Sequence, residues 1–159
     1  MPARACLSPG RGRASTMTVE IRRLGPEDVA QVLSIGHLLD GPAREDATRR
    51  FLASPTNHLL VAFVNGQAAG FISGVELTHP DKGTEMFLYE LGVDEAFRRQ
   101  GIGRQLTEAL AALARERGCY GMWVGTEPDN LAALATYRSA GATSSNPFVV
   151  VTWDFAPAT

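Results

Sequence analysis

Residues 87–106, FLYELGVDEAFRRQGIGRQL, are the stretch on which the interpretation of the whole chain depends. Residues 87–93 are rich in apolar and aromatic side chains and predict a buried strand. Beyond a polar break, Ile102, Leu106 and Leu110 recur at helical spacing and predict a long amphipathic helix over residues 101–117. The stretch therefore predicts a strand, a loop and a helix in direct succession.

The loop between this strand and this helix reads Arg98-Arg99-Gln100-Gly101-Ile102-Gly103. A helix start leaves N–H groups without intrahelical partners and carries a partial positive charge, and glycine lets an anion approach the main chain closely. A dinucleotide fingerprint would need a third glycine where Leu106 stands, and a nucleotide P-loop would need Gly-Lys-Ser/Thr, which this loop lacks. The loop is therefore expected to bind phosphate in a different arrangement from these two.

Two short patterns in the chain resemble the motifs of a known enzyme family. The first is Arg/Gln-x-x-Gly-x-Gly/Ala, which is satisfied by Arg98, Gly101 and Gly103 after a strand ending in Leu91-Gly92-Val93. The second is Asn-x-x-Ala-x-x-x-Tyr-x-x-x-Gly, which is satisfied by Asn130, Ala133, Tyr137 and Gly141. Together they resemble the acetyl-CoA signature and the second motif of the GNAT superfamily of N-acetyltransferases. The resemblance extends over roughly residues 19–155.

The other elements are predicted from hydrophobic patterns and turn signals along the chain. Strands are predicted at residues 19–24, 59–64, 67–75, 121–125 and 148–155, and further helices at about residues 27–39 and 43–52 and from residue 128. The resemblance implies an α/β fold of mixed α and β elements, with a central, mostly antiparallel sheet of about six or seven strands, one splayed parallel pair and about four flanking helices. Residues 1–16 are predicted to be a disordered extension, and residues 17–159 a single acetyltransferase domain.

Composition narrows the function classes. The net charge is −2 and the pI is near 5.9, and the sequence shows no dense group of basic residues outside the loop. No nucleic-acid partner is therefore expected. No run of about 20 apolar residues is present, so a soluble, cytoplasmic protein without a membrane partner is expected. Cys6 and Cys119 do not suggest a disulfide framework, and the three histidines lack ligand spacing, so no metal site is expected.

The resemblance implies acetyl-CoA as the acyl donor and assigns a binding role to both motifs. The pyrophosphate is expected on the main-chain N–H groups of about residues 99–104, and the thioester beside residues 91–93. The predicted cofactor-binding residues are Leu91, Gly92, Val93, Arg98, Arg99, Gln100, Gly101, Ile102, Gly103, Arg104, Asn130 and Tyr137. For Asn130 two interpretations stay open: it contacts the pantetheine arm, or it caps its helix.

Acetylation of an amine needs a group that takes its proton, because an alkylammonium with a pKa of about 10.4 is neutral about once in 2,500 molecules at pH 7. Glu90, beside the expected thioester position, is the first candidate, either as the base or as an anchor for a cationic acceptor. Glu85 and Glu76 are weaker candidates. By resemblance, Tyr137 is the acid that protonates the coenzyme A thiolate.

The acceptor is left open between several amines. Residues 89–93 and 98–102 and the closing Trp153-Asp154-Phe155 resemble the aminoglycoside 3-N-acetyltransferase group, which implies an antibiotic-resistance enzyme with a polycationic small-molecule substrate. Carboxylates suited to such an acceptor are Glu76, Asp81, Glu85, Glu90, Glu127 and Asp129, and the predicted substrate contacts are Tyr89, Glu90, Glu85 and Asp40. The alternatives are a polyamine, a protein amine, a small metabolite, or a non-catalytic coenzyme A-binding module. A homodimer that uses residues 148–153 as a paired edge is also compatible with the resemblance.

Overall fold

The computed structural model describes residues 16–155, so the predicted extension at residues 1–16 lies, except for its last residue, outside the described part. Within that part the chain forms five strands and four α-helices. In chain order they are β1 (Val19–Leu24), α1 (Val29–Ser34), α2 (Glu45–Ala53), β2 (Asn57–Val64), β3 (Gln67–His79), β4 (Gly83–Val93), α3 (Ile102–Glu116), β5 (Met122–Val124) and α4 (Leu131–Ser139). Single 3-10 turns at Pro26–Asp28, Gly36–Leu38 and Glu95–Phe97 flank these elements.

The strands form one sheet in the order β1-β2-β3-β4-β5. The first four strands are antiparallel to their neighbours, and β5 is parallel to β4, which confirms the predicted mixed sheet with one parallel pair. A two-residue hairpin turn joins β2 to β3, where Asn65 and Gly66 have φ angles of 50° and 81°. Two successive left-handed residues match the turn that best fits the twist of a two-residue hairpin.

A β-bulge in β4 changes which side chains face which side of the sheet. Ser73 of β3 pairs with Glu90, but the next residue, Gly74, pairs with Leu88, so Tyr89 is an extra residue in β4. A bulge shifts the alternation of side chains by one position. Leu88 therefore faces α3, whereas Glu90 faces the opposite side of the sheet.

Two apolar clusters pack against the two faces of the sheet. Helix α3 buries Ile102, Leu106 and Leu110, at helical spacing, against one face. Helices α1 and α2 cover the other face over β1, β2 and β3, with Val32 and Leu52 among the buried residues. The predicted long helix is confirmed, and its ends differ from the prediction by a single residue each.

The predicted strand at residues 148–155 is wrong, and among the described residues the sheet has five strands rather than six or seven. Residues rich in β-formers fit a pleated surface only where a neighbouring strand offers hydrogen bonds. Strand β5 spans three residues, so its free edge is short. The side chain of Phe148 lies instead over Gly125, where an added Cβ atom would be 2.8 Å from the ring.

The parallel pairing of β4 and β5 is short and leaves part of β4 without a neighbour on that side. It joins Met86, Phe87 and Leu88 to Met122, Trp123 and Val124. Strand β4 then continues for five more residues, 89–93. Among the described residues, no strand pairs with this part of β4 on the β5 side. The fold thus presents an open strand edge close to the start of α3.

Candidate active site

The open edge of β4 is the first component of the site. The backbone N–H and C=O groups on the edge of a strand can pair with an extended ligand as they would with another strand. Gly92 lies on this segment, and an added Cβ there would be 2.6 Å from the Phe71 ring and 3.1 Å from the carbonyl oxygen of Leu38. A side chain at position 92 would therefore displace the turn that covers the end of β4.

The loop from residue 98 to residue 103 is the second component. Arg99 and Gly101 have φ angles of 61° and 77°, in the left-handed region. Within residues 16–155, no protein acceptor is bonded to the backbone N–H groups of residues 101–104. These N–H groups at the start of α3, with a left-handed residue before them, form a concave surface suited to an anion.

The arginines of this loop differ in their contacts. The Nε atom of Arg98 donates to the carbonyl oxygen of Val93 at 3.3 Å, which fixes the loop to the end of β4. The Nε atom of Arg104 donates to Glu108 at 2.7 Å along the exposed side of α3. Arg99 and Gln100 are exposed. Of the predicted cofactor-binding arginines, Arg99 is therefore the one with neither an ion pair nor a side-chain hydrogen bond among the described residues.

Gly103 marks the point where the loop, β4 and α4 converge. An added Cβ atom at this position would lie 3.4 Å from Thr136 of α4 and 3.7 Å from both Leu91 and Val93 of β4. The first turn of α3, the open edge of β4 and helix α4 are therefore adjacent. This arrangement brings together the predicted cofactor-binding residues of both sequence motifs.

Helix α4 contributes Asn130 and Tyr137. The Oδ1 atom of Asn130 accepts a hydrogen bond from the Ala133 N–H at 3.1 Å, so Asn130 caps the helix, as one of its two interpretations holds. Tyr137 is half-buried and packs against the same apolar cluster as Leu91 and Val93. Burial raises the pKa of Tyr137 above its usual 10.0, so the phenol stays protonated at neutral pH and can donate a proton.

Glu90 and Asp40 form an acidic pair on the face of the sheet opposite α3. Partial burial raises the pKa of Glu90 above its usual 4.5, and the nearby carboxylate of Asp40 raises it further. Asp40 follows the turn Gly36–Leu38, which lies over Gly92 at the end of β4. The two predicted substrate contacts therefore lie beside the open edge, and Glu90 is poised to accept a proton.

Glu85 and Glu76, the weaker candidates for a base, lie away from this pair. Glu85 pairs with Leu77 and Glu90 with Ser73, so four regular steps, about 13 Å, separate them along the sheet. The hydroxyl of Tyr120 donates to Glu85 at 2.9 Å. Glu76 faces the α3 side, where its carboxylate is hydrogen-bonded to His58 and Arg117.

The remaining predicted carboxylates are scattered. The carboxylate of Asp81 is bonded to the ring of His79 in the turn between β3 and β4. Glu127 and Asp129 are exposed in the segment before α4. None of these three contacts Glu90 or Asp40 through a side-chain hydrogen bond among the described residues.

Two features of this region are not visible in the sequence. One is a stack of the Phe87 ring on the Trp123 ring, with centroids 4.3 Å apart. The other is a network in which His58, fully buried, lies between Arg23 and Glu76. Both contacts depend on which residues of neighbouring strands lie opposite each other. That pairing cannot be read from the sequence of a single strand.

Two further observations concern metals and membranes. Among residues 16–155, no three His, Cys, Asp or Glu side chains are grouped closely enough to hold a metal ion. In that same part of the chain, no helix has the length and apolar character needed to cross a membrane.

Comparisons with known proteins are consistent with this geometry. A sequence model of the acetyltransferase (GNAT) family matches residues 29–142. The N-alpha-acetyltransferase RimI of Mycobacterium tuberculosis is 39% identical over 104 residues, which are 64% of this chain and 62% of the relative. The chain thus spans about three fifths of the length of that relative.

Solved structures share the fold over most of the chain. An aminoglycoside acetyltransferase from an uncultured soil metagenomic sample, in complex with sisomicin, has a TM-score of 0.77 at 20% identity, covering 87% of this chain and 97% of that chain. The aminoglycoside N-acetyltransferase AAC(6')-Iy in complex with CoA has a TM-score of 0.71 at 21% identity, covering 92% of this chain and 99% of that chain. At these identities the likeness concerns the fold.

Proposed function

Because the chain belongs to the acetyltransferase (GNAT) family, we propose that it transfers the acetyl group of acetyl-CoA to a primary amine. The observation that supports this most strongly is the start of α3. The N–H groups of residues 101–104, without protein acceptors in the described part of the chain, lie beside the open edge of β4. An anion at the helix start and an extended arm along the strand edge match the pyrophosphate and the pantetheine of coenzyme A.

The predicted cofactor contacts that this proposal uses lie in the loop before α3 and on β4. The pyrophosphate is bound by the N–H groups of the loop, with the Arg99 guanidinium adding charge. The pantetheine arm pairs with the edge of β4 from Leu91 to Val93. Gly103 has no side chain to obstruct this path, and Gly92 lets the covering turn close over the strand.

The acetyl transfer needs two proton movements, for which Glu90 and Tyr137 are suited. The amine nitrogen attacks the thioester carbonyl carbon, and the carbon–sulfur bond breaks. Glu90, directly or through water, accepts the proton lost by the amine, and the Tyr137 hydroxyl gives a proton to the departing thiolate. Without a base, conversion of the ammonium group to the neutral amine at pH 7 would cost about 4.6 kcal/mol of free energy. A backbone N–H of β4 stabilises the negative charge that develops on the carbonyl oxygen.

We propose an aminoglycoside as the acceptor, with the 3-amino group as the first regiochemistry to test. Glu90 and Asp40 place negative charge beside the proposed thioester position, and Glu85 adds a carboxylate farther along the same face. Solved proteins of the same fold include an aminoglycoside acetyltransferase bound to sisomicin. This acceptor would make the protein a cytoplasmic resistance enzyme, since acetyl-CoA is its donor. A homodimer paired through residues 148–153 remains part of the proposal.

A protein N-terminus is the second candidate acceptor. It is favoured by the 39% identity with the N-alpha-acetyltransferase RimI of Mycobacterium tuberculosis. Such an acceptor presents one ammonium group on an extended chain, so it needs one acidic contact near the thioester. Glu90 with Asp40 is sufficient for that contact.

The test is coenzyme A release from acetyl-CoA by the purified full chain with four acceptors: gentamicin, kanamycin, spermidine and a peptide that begins with alanine. Turnover with an aminoglycoside supports the first proposal, and mass spectrometry and NMR of the product identify the acetylated amine. Turnover with the peptide alone supports the second. Tight acetyl-CoA binding without turnover of any amine would favour a non-catalytic binding module.

A further inference from the structure

The face of the sheet opposite α3 is covered unevenly. Helices α1 and α2 pack over β1, β2 and β3, and their apolar cluster includes no residue of β4 or β5. The uncovered part bears three aromatic side chains, Phe87, Tyr89 and Trp123, which we call the aromatic platform. Tyr89 is 67% exposed and Trp123 is 42% exposed. Large aromatic side chains grouped on an exposed surface are a mark of a binding site.

The rings of the platform are held in place by the sheet. Phe87 and Trp123 occupy paired positions of the parallel strands, and their rings stack with centroids 4.3 Å apart and an interplanar angle of 29°. Tyr89, the bulge residue, meets Phe87 edge to face at 5.8 Å and 86°. Three rings fixed in this way offer a rigid apolar surface that loses little conformational entropy on binding.

Carboxylates lie at both ends of the platform. The bulge places Glu90 on the same face as Phe87, beside Asp40. Glu85, two residues before Phe87, lies on that face as well and accepts a hydrogen bond from Tyr120. Register pairing separates Glu85 and Glu90 by about 13 Å. The platform is thus an apolar surface between two negatively charged ends.

We infer that the aromatic platform binds the acceptor and selects a polycation that carries a saturated ring between its amines. A sugar or cyclitol ring lies on Trp123, one ammonium group binds Glu85, and the amine to be acetylated lies at Glu90. Cationic groups are attracted to aromatic faces, Trp most strongly, and to the carboxylates at each end. This inference rests on the proposed function and deepens it by naming the residues that select the acceptor.

Competing acceptors use less of this surface. A linear polyamine reaches both carboxylates but has no ring to lie on Trp123, and it loses more conformational entropy when it is held straight. A protein N-terminus engages the Glu90 end alone. The platform therefore favours an aminoglycoside over both.

The segment after α4 bounds the platform on the β5 side. Gly125, two residues after Trp123, faces the same side of the sheet, and the ring of Phe148 covers it. Residues 149–151, 153 and 155 are exposed and apolar. A second copy of this chain, docked through that segment, is the alternative occupant of the platform, and the experiment below distinguishes it.

The test replaces Trp123 by Leu and, separately, Glu85 by Gln. With kanamycin, Trp123→Leu is expected to raise the acceptor KM about tenfold, the loss of one cation–aromatic contact, while the KM for acetyl-CoA stays unchanged. Trp123→Phe restores most of the affinity. Glu85→Gln raises the KM for kanamycin but not for the alanine peptide. Controls are Leu33→Ala, an exposed apolar side chain on α1, and Glu116→Gln, an exposed acid on α3.

Calorimetric titration of kanamycin, without acetyl-CoA, separates the two levels of the proposal. Wild-type turnover of kanamycin with an unchanged KM in Trp123→Leu overturns the platform and leaves the acetyltransferase proposal standing. Binding weakened by Trp123→Leu, in a protein that releases no coenzyme A, supports the platform and overturns the transfer. Absence of kanamycin binding, together with no coenzyme A release with any of the four acceptors, overturns both. The wild-type protein could instead sediment as a dimer, bind no kanamycin and become a monomer on Trp123→Leu substitution. That result would overturn the platform and assign this face to a second copy of the chain.

Discussion

Glu90 acquires its surroundings from one irregularity in the backbone. Regular alternation from Leu88 would direct the side chain at position 90 toward α3, into the apolar cluster. The extra residue Tyr89 turns it to the opposite face, where it lies beside Asp40. Partial burial and this second carboxylate raise the pKa of Glu90 above 4.5, so its carboxylate holds a proton more readily.

Replacement of Glu90 by Gln is expected to lower kcat by about 10²-fold, because an amide cannot accept the proton of the amine. The wild-type rate should rise with pH as Glu90 ionises, above pH 4.5 because its pKa is raised in the fold. A carboxyl with a raised pKa destabilises the folded state once the pH exceeds its unfolded value. Glu90→Gln should therefore leave Tm unchanged or higher at pH 7.

Steady-state kinetics from pH 4.5 to pH 9 and a thermal melt measure both effects. Glu95→Gln, an exposed acid in the turn after β4, is the matched control. A Glu90→Gln enzyme with wild-type kcat and the same low-pH limb would remove Glu90 as the base. A raised acceptor KM with unchanged kcat would make it an anchor for the acceptor instead.

Tyr137 is expected to act as an acid through its hydroxyl alone. Tyr137→Phe should keep the affinity for acetyl-CoA and lower kcat about tenfold or more, since the thiolate loses its proton donor. Because burial raises the pKa of Tyr137 above 10.0, ionisation of this phenol should cause no loss of activity below about pH 10. Calorimetry gives the affinity, and pre-steady-state kinetics identify the slow step. Undiminished turnover with chemistry rate-limiting would exclude this role.

At the scale of the elements, the loop before α3 has two glycines with different requirements. Gly101 has a φ of 77°, where any other side chain is strained, so Gly101→Ala is expected to cost about 1 kcal/mol of stability. Gly103 has room for a methyl group, with Thr136 as the nearest atom at 3.4 Å. A carboxylate at position 103 would meet the bound pyrophosphate with like charge.

Gly103→Asp is therefore expected to abolish acetyl-CoA binding in a folded protein, whereas Gly103→Ala should retain most of it. Calorimetric titration with acetyl-CoA measures the affinity, and a thermal melt verifies that each variant is folded. Unchanged affinity in Gly103→Asp would sink the assignment of this loop to the pyrophosphate.

The sequence predicts the elements around this loop better than the contacts between elements. The helix over residues 101–117 was predictable because one helix face must be apolar wherever a helix packs on a sheet. The bulge at Tyr89 was not predictable, since it depends on which residues of β3 and β4 pair. For the same reason the stack of Phe87 on Trp123 has no sequence signal. The predicted strand at residues 148–155 failed because composition does not supply a partner strand.

At the scale of the whole molecule, a polar network centred on the buried side chain of His58 joins β1, β2 and β3 to the end of α3. Arg23 of β1 donates from Nη2 to the Nδ1 atom of His58 at 2.9 Å. The Nε2 atom of His58 lies 2.7 Å from Glu76 of β3, and Arg117 after α3 donates to the same carboxylate at 2.6 Å. Since an arginine can only donate, His58 Nδ1 accepts, and His58 is the neutral tautomer with Nε2–H donating to Glu76.

In this network His58 and Glu76 have lowered pKa values. Burial lowers the pKa of His58 below 6.5, and the charge of Arg23 adds to this against the opposing bond to Glu76. Burial alone would raise the pKa of Glu76, but the hydrogen bonds from Arg117 and His58 outweigh it and hold the pKa below 4.5. A lowered folded pKa gives stability that is present above the unfolded value and lost as the pH falls. The protein should therefore lose stability below pH 6.5 through His58, and further below pH 4.5 through Glu76.

Glu76→Ala is expected to destabilise the fold by about 1–3 kcal/mol, because it leaves the buried Nε2–H of His58 without its acceptor. For a chain of this size that corresponds to a Tm lower by about 3–10 °C at pH 7. Glu45→Ala on the exposed side of α2, which breaks only an ion pair with Arg49, is the matched control and should change Tm little. Thermal melts from pH 4 to pH 8 measure the loss of stability expected below pH 6.5 and below pH 4.5.

Because the network lies apart from Glu90 and Tyr137, kcat should be retained at temperatures where the variant is folded. A Glu76→Ala variant with the wild-type Tm and the same dependence of Tm on pH would show that the network contributes nothing to stability.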